Sequence, residues 1–314
     1  MFNSRGVSYL LLTTMGKHAM KLFSNILVPV HTNRYTNLLI KEGLEMALHF
    51  NCVVHFLLVT EEKYFSKPFV PRHNNAGNTK AIFRQKIHEA LTQYEQHPYL
   101  GQQLHVVTGM GNMEQCISRY AIRNHIDLVV LGKDHRPFWN KWFTDLSVGK
   151  LSQKLNCPIL TLQSRLKLNK IRNIVMPVGT FLPVRKLAFA TYLAKKYNSG
   201  LHLVALSGGY PQPDSTAENV YLLKAYRLIL ENTEVPVEYK TLPGENIAST
   251  TLQYAKKIKA GLIVINPGKE SFLYGFLNRL FSRFLFNTSR IPVMTIAPGR
   301  NYEKVIVPAK SNIA

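Results

Sequence analysis

NILVPV, residues 25–30, decides how this chain is read, because NIVMPV returns at residues 173–178. Two further runs repeat in the same order. DLVVLG, closing on Gly132, is matched by GLIVIN, closing on Asn266, and CPILTL from Cys157 is matched by IPVMTI from Ile291. Gly132 and Pro158 stand 26 positions apart, and so do Asn266 and Pro292. Kept strands at a kept spacing mean one fold written twice. The offset between copies is 148 at the first strand and 134 at the last two, so the first copy holds 14 extra residues. The polar stretch 65–78 reads as their place, a loop ahead of a helix starting near Thr79.

Within the first copy, near-continuous apolar runs at 25–30, 52–59, 103–107, 127–131 and 158–162 alternate with helical periodicity at 36–49, 79–96, 113–124 and 143–154. Apolar strands separated by helices imply parallel strands buried on both faces, with right-handed crossovers placing helices on each side. The expected fold class is α/β: two doubly wound, mostly parallel five-stranded sheets in tandem. The expected domains span 20–165 and 170–299, with an N-terminal extension at 1–19 and a tail at 300–314. Ligands in such sheets bind at the carboxyl ends of the strands, where the strand order switches.

Composition narrows the function. With 314 residues and 46% apolar content, each half can build its own core. Cys52, Cys116 and Cys157 show no CxxC spacing, which suits buried thiols in a reducing, cytoplasmic compartment. No apolar run approaches the roughly 18 to 20 residues of a membrane span. The net charge of +21 is spread over both copies without a basic block, and the densest cluster, Lys256, Lys257 and Lys259, reads as a solvated helix face. Polyanion binding is thus a reading from charge alone, with no specific nucleic-acid recognition implied.

On these residues the chain resembles the universal stress protein family in tandem form. The resemblance rests on VPV closing the first strand, an apolar fourth strand ending on glycine, and a helix followed by a final xPV strand. It covers roughly residues 20–298 and implies the adenine nucleotide alpha hydrolase-like fold. It also implies an intrachain pseudo-dimer, with a homodimer left open, and a non-enzymatic stress-response or regulatory role through a partner or small ligand. In the family's nucleotide-binding members an acidic residue follows the first strand, and a G-x-x-G-x9-G-[ST] loop offers its backbone amides to phosphates.

Laid on the first copy, that loop keeps Gly132 but meets His135, Asp145 and Leu146 at its other positions, with Ser147 one residue late. His31 stands where the acidic residue belongs. The second copy has Asn266, Lys269, Arg279 and Leu280 in the loop, and Gly179 after its first strand. ATP is the one cofactor the resemblance implies, and the lost glycines argue against it. The candidate nucleotide- or anion-binding residues are His31, Leu58, Gly132, Lys133, His135, Ser147 and Val148, with Gly179, Lys269 and Arg279 in the second copy. A nucleotide sensor or slow ATP hydrolase using a modified loop at Gly132, Lys133 and Ser147 is the alternative.

Other patterns carry less. Leu273, Leu277, Leu280, Phe281, Phe284 and Leu285 form a helical stripe matched by Phe143, Leu146 and Leu151, so the loop residues read as packing. Trp139 and Trp142 add aromatic area beside it. SGGYPQPDS, from Ser207, reads as a Gly/Pro turn, and EKVIVPAK, from Glu303, as a tail or an added edge strand. No histidine shows metal-ligand spacing, and no nucleophile, base and orienter can be assembled into a catalytic set.

Overall fold

Apolar β-branched runs bounded by turn formers produce the strands at the expected places. The first repeat runs β1 (Asn25–Val30), α1 (Thr36–Phe50), β2 (Val53–Thr60), α2 (Asn75–Leu91), β3 (Leu104–Met110), α3 (Met113–Arg123), β4 (Leu128–Gly132), α4 (Val148–Leu155) and β5 (Ile159–Leu162). The second runs β6 (Asn173–Pro177), α5 (Val184–Tyr197), β7 (Gly200–Ser207), α6 (Val220–Asn232), β8 (Val237–Pro243), α7 (Ile247–Lys257), β9 (Leu262–Ile265) and β10 (Val293–Thr295). The computed structural model describes residues 22–30, 36–60, 75–94, 96–132, 148–163, 166, 168–179, 181–207, 219–244, 246–267 and 289–298. The helix expected over 143–154 is seen from Val148 onward. Its counterpart in the second repeat, the tryptophans, the Gly/Pro turn after Ser207 and the C-terminal tail lie outside the described residues.

The ends of the elements repeat along with the elements. Asn112 and Asn246 cap α3 and α7, each side chain accepting from backbone N–H groups of the first turn. Asn51 and Asn198 close α1 and α5 in the left-handed conformation at φ 49° and 51°, which asparagine tolerates better than bulkier residues.

The strand order is β3-β2-β1-β4-β5-β10-β9-β6-β7-β8. Each half is a parallel five-stranded sheet, but the two sheets are not separate: β5 and β10 pair antiparallel and make one sheet of ten. The register matches Val293 with Thr161, Met294 with Leu160 and Thr295 with Ile159. Since Ile159, Leu160 and Thr161 are the repeat equivalents of Val293, Met294 and Thr295, a pseudo-twofold axis passes between Leu160 and Met294. The junction is isologous, as in a symmetric dimer, but lies within one chain. On one face, a continuous core runs across the axis from Phe23, Leu44 and Phe56 to Leu187, Leu203 and Ile229. On the other, each half keeps its own cluster, around Ile117 and Leu131 in the first and around Leu252 and Ile265 in the second.

The extra residues of the first repeat are not where the sequence suggested. They do fall between β2 and β3, but α2 starts at Asn75, inside the expected loop, and is 17 residues long against 13 for α6. After it, Thr92–Tyr94 and Pro98–Gln103 add 3-10 turns where the second repeat passes from Asn232 to Val237 directly. Composition marked 65–78 as loop-like, yet most of the added length was spent on lengthening α2 and on the turns behind it.

Candidate functional site

Each half has its order switch between its first and fourth strands, the position where doubly wound sheets hold ligands. The β1–β4 ladder joins Ile26 to Leu128 and Leu27 to Val129. The β6–β9 ladder joins Ile174 to Leu262 and Val175 to Ile263. Both pairs of strands continue past these bridges, β4 as far as Gly132.

In the first half, Gly132 is fully buried at the end of β4. A Cβ there would stand 3.0 Å from both methyl carbons of Leu39 and 3.1 Å from its Cγ. The glycine therefore lets α1 approach the strand, a packing reason that operates with or without a phosphate. Leu58 lies opposite Val30 in the β1–β2 ladder and is fully buried. Val148 opens α4 and packs with Leu27 and Leu151. The side chains of both thus lie in the core. His31, Lys133, His135 and Ser147 lie outside the described residues.

In the second half, side chains occupy main-chain groups at the same place. Counted back from the caps Asn51 and Asn198, Lys186 takes the position of Leu39, while Asn266 takes that of Gly132. Lys186 is fully buried, and its ammonium donates to the Pro177 carbonyl at the end of β6. Asn266 is 1% exposed and donates through Nδ2 to the Ile296 carbonyl at 2.8 Å. Gly179, half-buried after β6, has its carbonyl bonded at 3.2 Å by Nδ2 of Asn219, the cap of α6. Three polar side chains here serve protein carbonyls. Lys269 and Arg279 lie outside the described residues.

A second constellation sits toward the amino ends of the strands, on the face covered by α3 and α7. His55 and His202 are the third residues of β2 and β7, and Tyr120 and Tyr254 the eighth of α3 and α7. His55 Nδ1 is 2.9 Å from the Tyr120 hydroxyl, and His202 Nδ1 is 3.2 Å from that of Tyr254. The neighbouring strand supplies a third group in register: His105 beside His55, with ring centroids 4.9 Å apart, and Glu238 beside His202, with Oε2 3.5 Å from Nδ1. Burial, and then the neighbouring His105, lower His55 to about 4. Burial also lowers His202, against the pull of Glu238. Neither pair lies at a strand's carboxyl end or at a metal-ligand spacing, so no local sequence signal marks them. The same repeat alignment that located the strands places these pairs in equivalent positions. Among the described residues no three His, Cys, Asp or Glu groups converge as a metal site, and no helix is long and apolar enough to cross a membrane.

The topology, with the order switch repeated in each half, defines a tandem, doubly wound α/β protein. Residues 22–163 match the model of the Universal stress protein family. The match covers the first repeat and not the second. No curated protein matches it in sequence. Among solved structures, a universal stress protein from Archaeoglobus fulgidus superposes with a TM-score of 0.62 at 14% identity, over 88% of this chain and 97% of that one. A functionally unknown protein from Pseudomonas aeruginosa PAO1 gives 0.57 at 17% identity, over 89% and 94%. Both likenesses span the two repeats, and at these identities they concern the fold alone.

Proposed function

We propose that the chain is a non-enzymatic, cytoplasmic regulatory protein of the stress-response type, with universal-stress-protein-like domains at 20–165 and 170–299 acting as an intrachain pseudo-dimer. It works by binding a protein partner or small ligand, and the family's ATP loop is degenerate in both domains. The observation that carries this reading is Asn266: at the position of the family's first loop glycine, its amide is buried and bonded to Ile296. A phosphate cradle needs free backbone amides and a close approach. This side chain takes up that space and ties β9 to the end of β10. Calorimetry with ATP and magnesium, together with mass spectrometry of small molecules retained by the purified protein, tests the reading. It expects no retained nucleotide and no binding tighter than about 100 μM, a free energy near −5.5 kcal/mol. Submicromolar, magnesium-dependent binding would overturn it.

The second reading, a nucleotide sensor or slow hydrolase, is favoured by one observation: Gly132 is retained at the first loop position. It places any nucleotide in the first domain. Loss of retained nucleotide in a Lys133→Ala variant would support it.

A further inference from the structure

We propose that the β2–β3–α3 corner of the first domain is an acid-released element, triggered by protonation of His55, and that the second domain carries the same corner in a form that responds more weakly. The inference stands apart from the order switch and from whether nucleotide binds there.

His55 is 7% exposed and is held at one nitrogen only. Nδ1 meets Tyr120, while Nε2 is buried without a hydrogen-bond partner. A neutral imidazole tolerates one bare nitrogen, but the charged ring is a donor at both positions and leaves a buried N–H unanswered. Leu27 lies beside His55 on β1, His105 on β3 and Tyr120 on α3. Asp127, at this end of the sheet, accepts from the backbone N–H groups of Ser24 and Asn25.

The second domain differs at two groups. His202 Nε2 is 3.2 Å from Oδ1 of Asn173, whereas Asn25, at the equivalent position, leaves His55 Nε2 without a partner. Nδ1 faces both Tyr254 and the carboxylate of Glu238. Both nitrogens of a charged His202 therefore have acceptors, and a counter-ion stands beside it. The nearby cation is Lys240, whose ammonium lies 6.0 Å from the Tyr254 ring centroid.

The mechanical setting suits release. β3 is an edge strand bonded on one side only, to β2, and α3 packs over that edge through Met113, Cys116, Ile117 and Ala121. Charging His55 puts an unanswered Nε2–H and a buried charge at the place where Tyr120 joins helix to strand. The β2–β3 ladder is the sheet's hold on this edge, and edge elements of this kind open without global unfolding. The exposed side chains of Met110 and Ile122 already flank the corner.

Hydrogen exchange on the full chain at pH 7 and pH 5, corrected for intrinsic rates, tests the proposal. Opening of the segments Val53–Thr60, Leu104–Met110 and Met113–Arg123 should rise on the order of 10-fold relative to their second-domain counterparts. His105→Glu, a change at an exposed position, should abolish the difference by giving His55 the neighbour that His202 has. Glu238→His should strengthen the acid response at β7, β8 and α7. Equal pH dependence in the two domains, or an unchanged response in His105→Glu, would overturn the proposal.

Discussion

Lys196 of α5 holds its ammonium 4.6 Å from the centroid of the Phe50 ring of α1. The reciprocal pair lies beside it, the His49 ring stacked on Tyr197 at 5.2 Å. Counted from the caps Asn51 and Asn198, His49 is the equivalent of Lys196 and Phe50 of Tyr197. Each half thus lends a basic residue to the other's aromatic ring across the pseudo-axis, and Lys196 also donates to the His49 carbonyl at 3.3 Å. The seam is an isologous interface whose two sides have diverged in residue type but not in role.

If that exchange couples the halves, a double-mutant cycle of Lys196→Met and Phe50→Leu, followed by urea unfolding, should return a coupling of about 0.5–1 kcal/mol, the range for an exposed cation over a ring. A coupling of zero would reduce the pair to mere proximity.

At Gly132, alanine should destabilise by about 1–3 kcal/mol, since its methyl would overpack Leu39. Combined with Leu39→Ala, which opens the space, Gly132→Ala should cost less than it does alone. Simple additivity of the two substitutions would mean that the glycine is kept for some other reason.

His49 makes part of the stability pH-dependent, and the sign follows from its shift. Burial first, and then Lys196, hold it below 6.5 in the folded chain, against the opposing carboxylate of Glu45. The unfolded chain takes up the proton near 6.5, the folded one only at lower pH, so the unfolded state binds more protons in between and stability falls as pH drops through that window. His49→Phe keeps a ring for Tyr197 and removes a buried nitrogen, Nε2, that has no partner. Its urea midpoint should change less than the wild type's between pH 7 and pH 5. An unaltered pH slope would count against the assignment.

The thiols should be inert. Cys52, Cys116 and Cys157 are all buried, and burial pushes Cys157 up to about 12 although Arg185 pulls the other way. Its thiolate at pH 8 is then roughly 1000-fold scarcer than for an unperturbed thiol. Ellman's reagent should label all three thiols in urea and scarcely any in the native protein within minutes. Rapid native labelling of one of them would contradict that burial.

The strands were legible in the sequence because their signal is local. NILVPV and NIVMPV are buried on both faces, and a run of that kind reads as a central strand wherever it falls. The order switch followed from the helices between the strands. The roles of the site residues were less legible. Leu58 and Val148 were candidates by position, and both turned out to be core. Gly132 looked like a phosphate glycine because its partner Leu39, 93 positions earlier, is invisible to a local reading. The His–Tyr pairs were present in the repeat alignment, but nothing in the sequence says that β2 and α3 bring His55 and Tyr120 within a hydrogen bond.

The sequence by itself determined the duplication and the α/β class, since each depends on residue type and spacing along one chain. Tertiary structure alone decided that β5 meets β10 antiparallel, with the axis between Leu160 and Met294. A three- or four-residue apolar strand can pair along either edge, and the choice depends on which backbones the folded halves bring together. The same holds for Asn266: its chemistry permits a ligand contact, and only the arrival of the Ile296 carbonyl turns it into a structural tie.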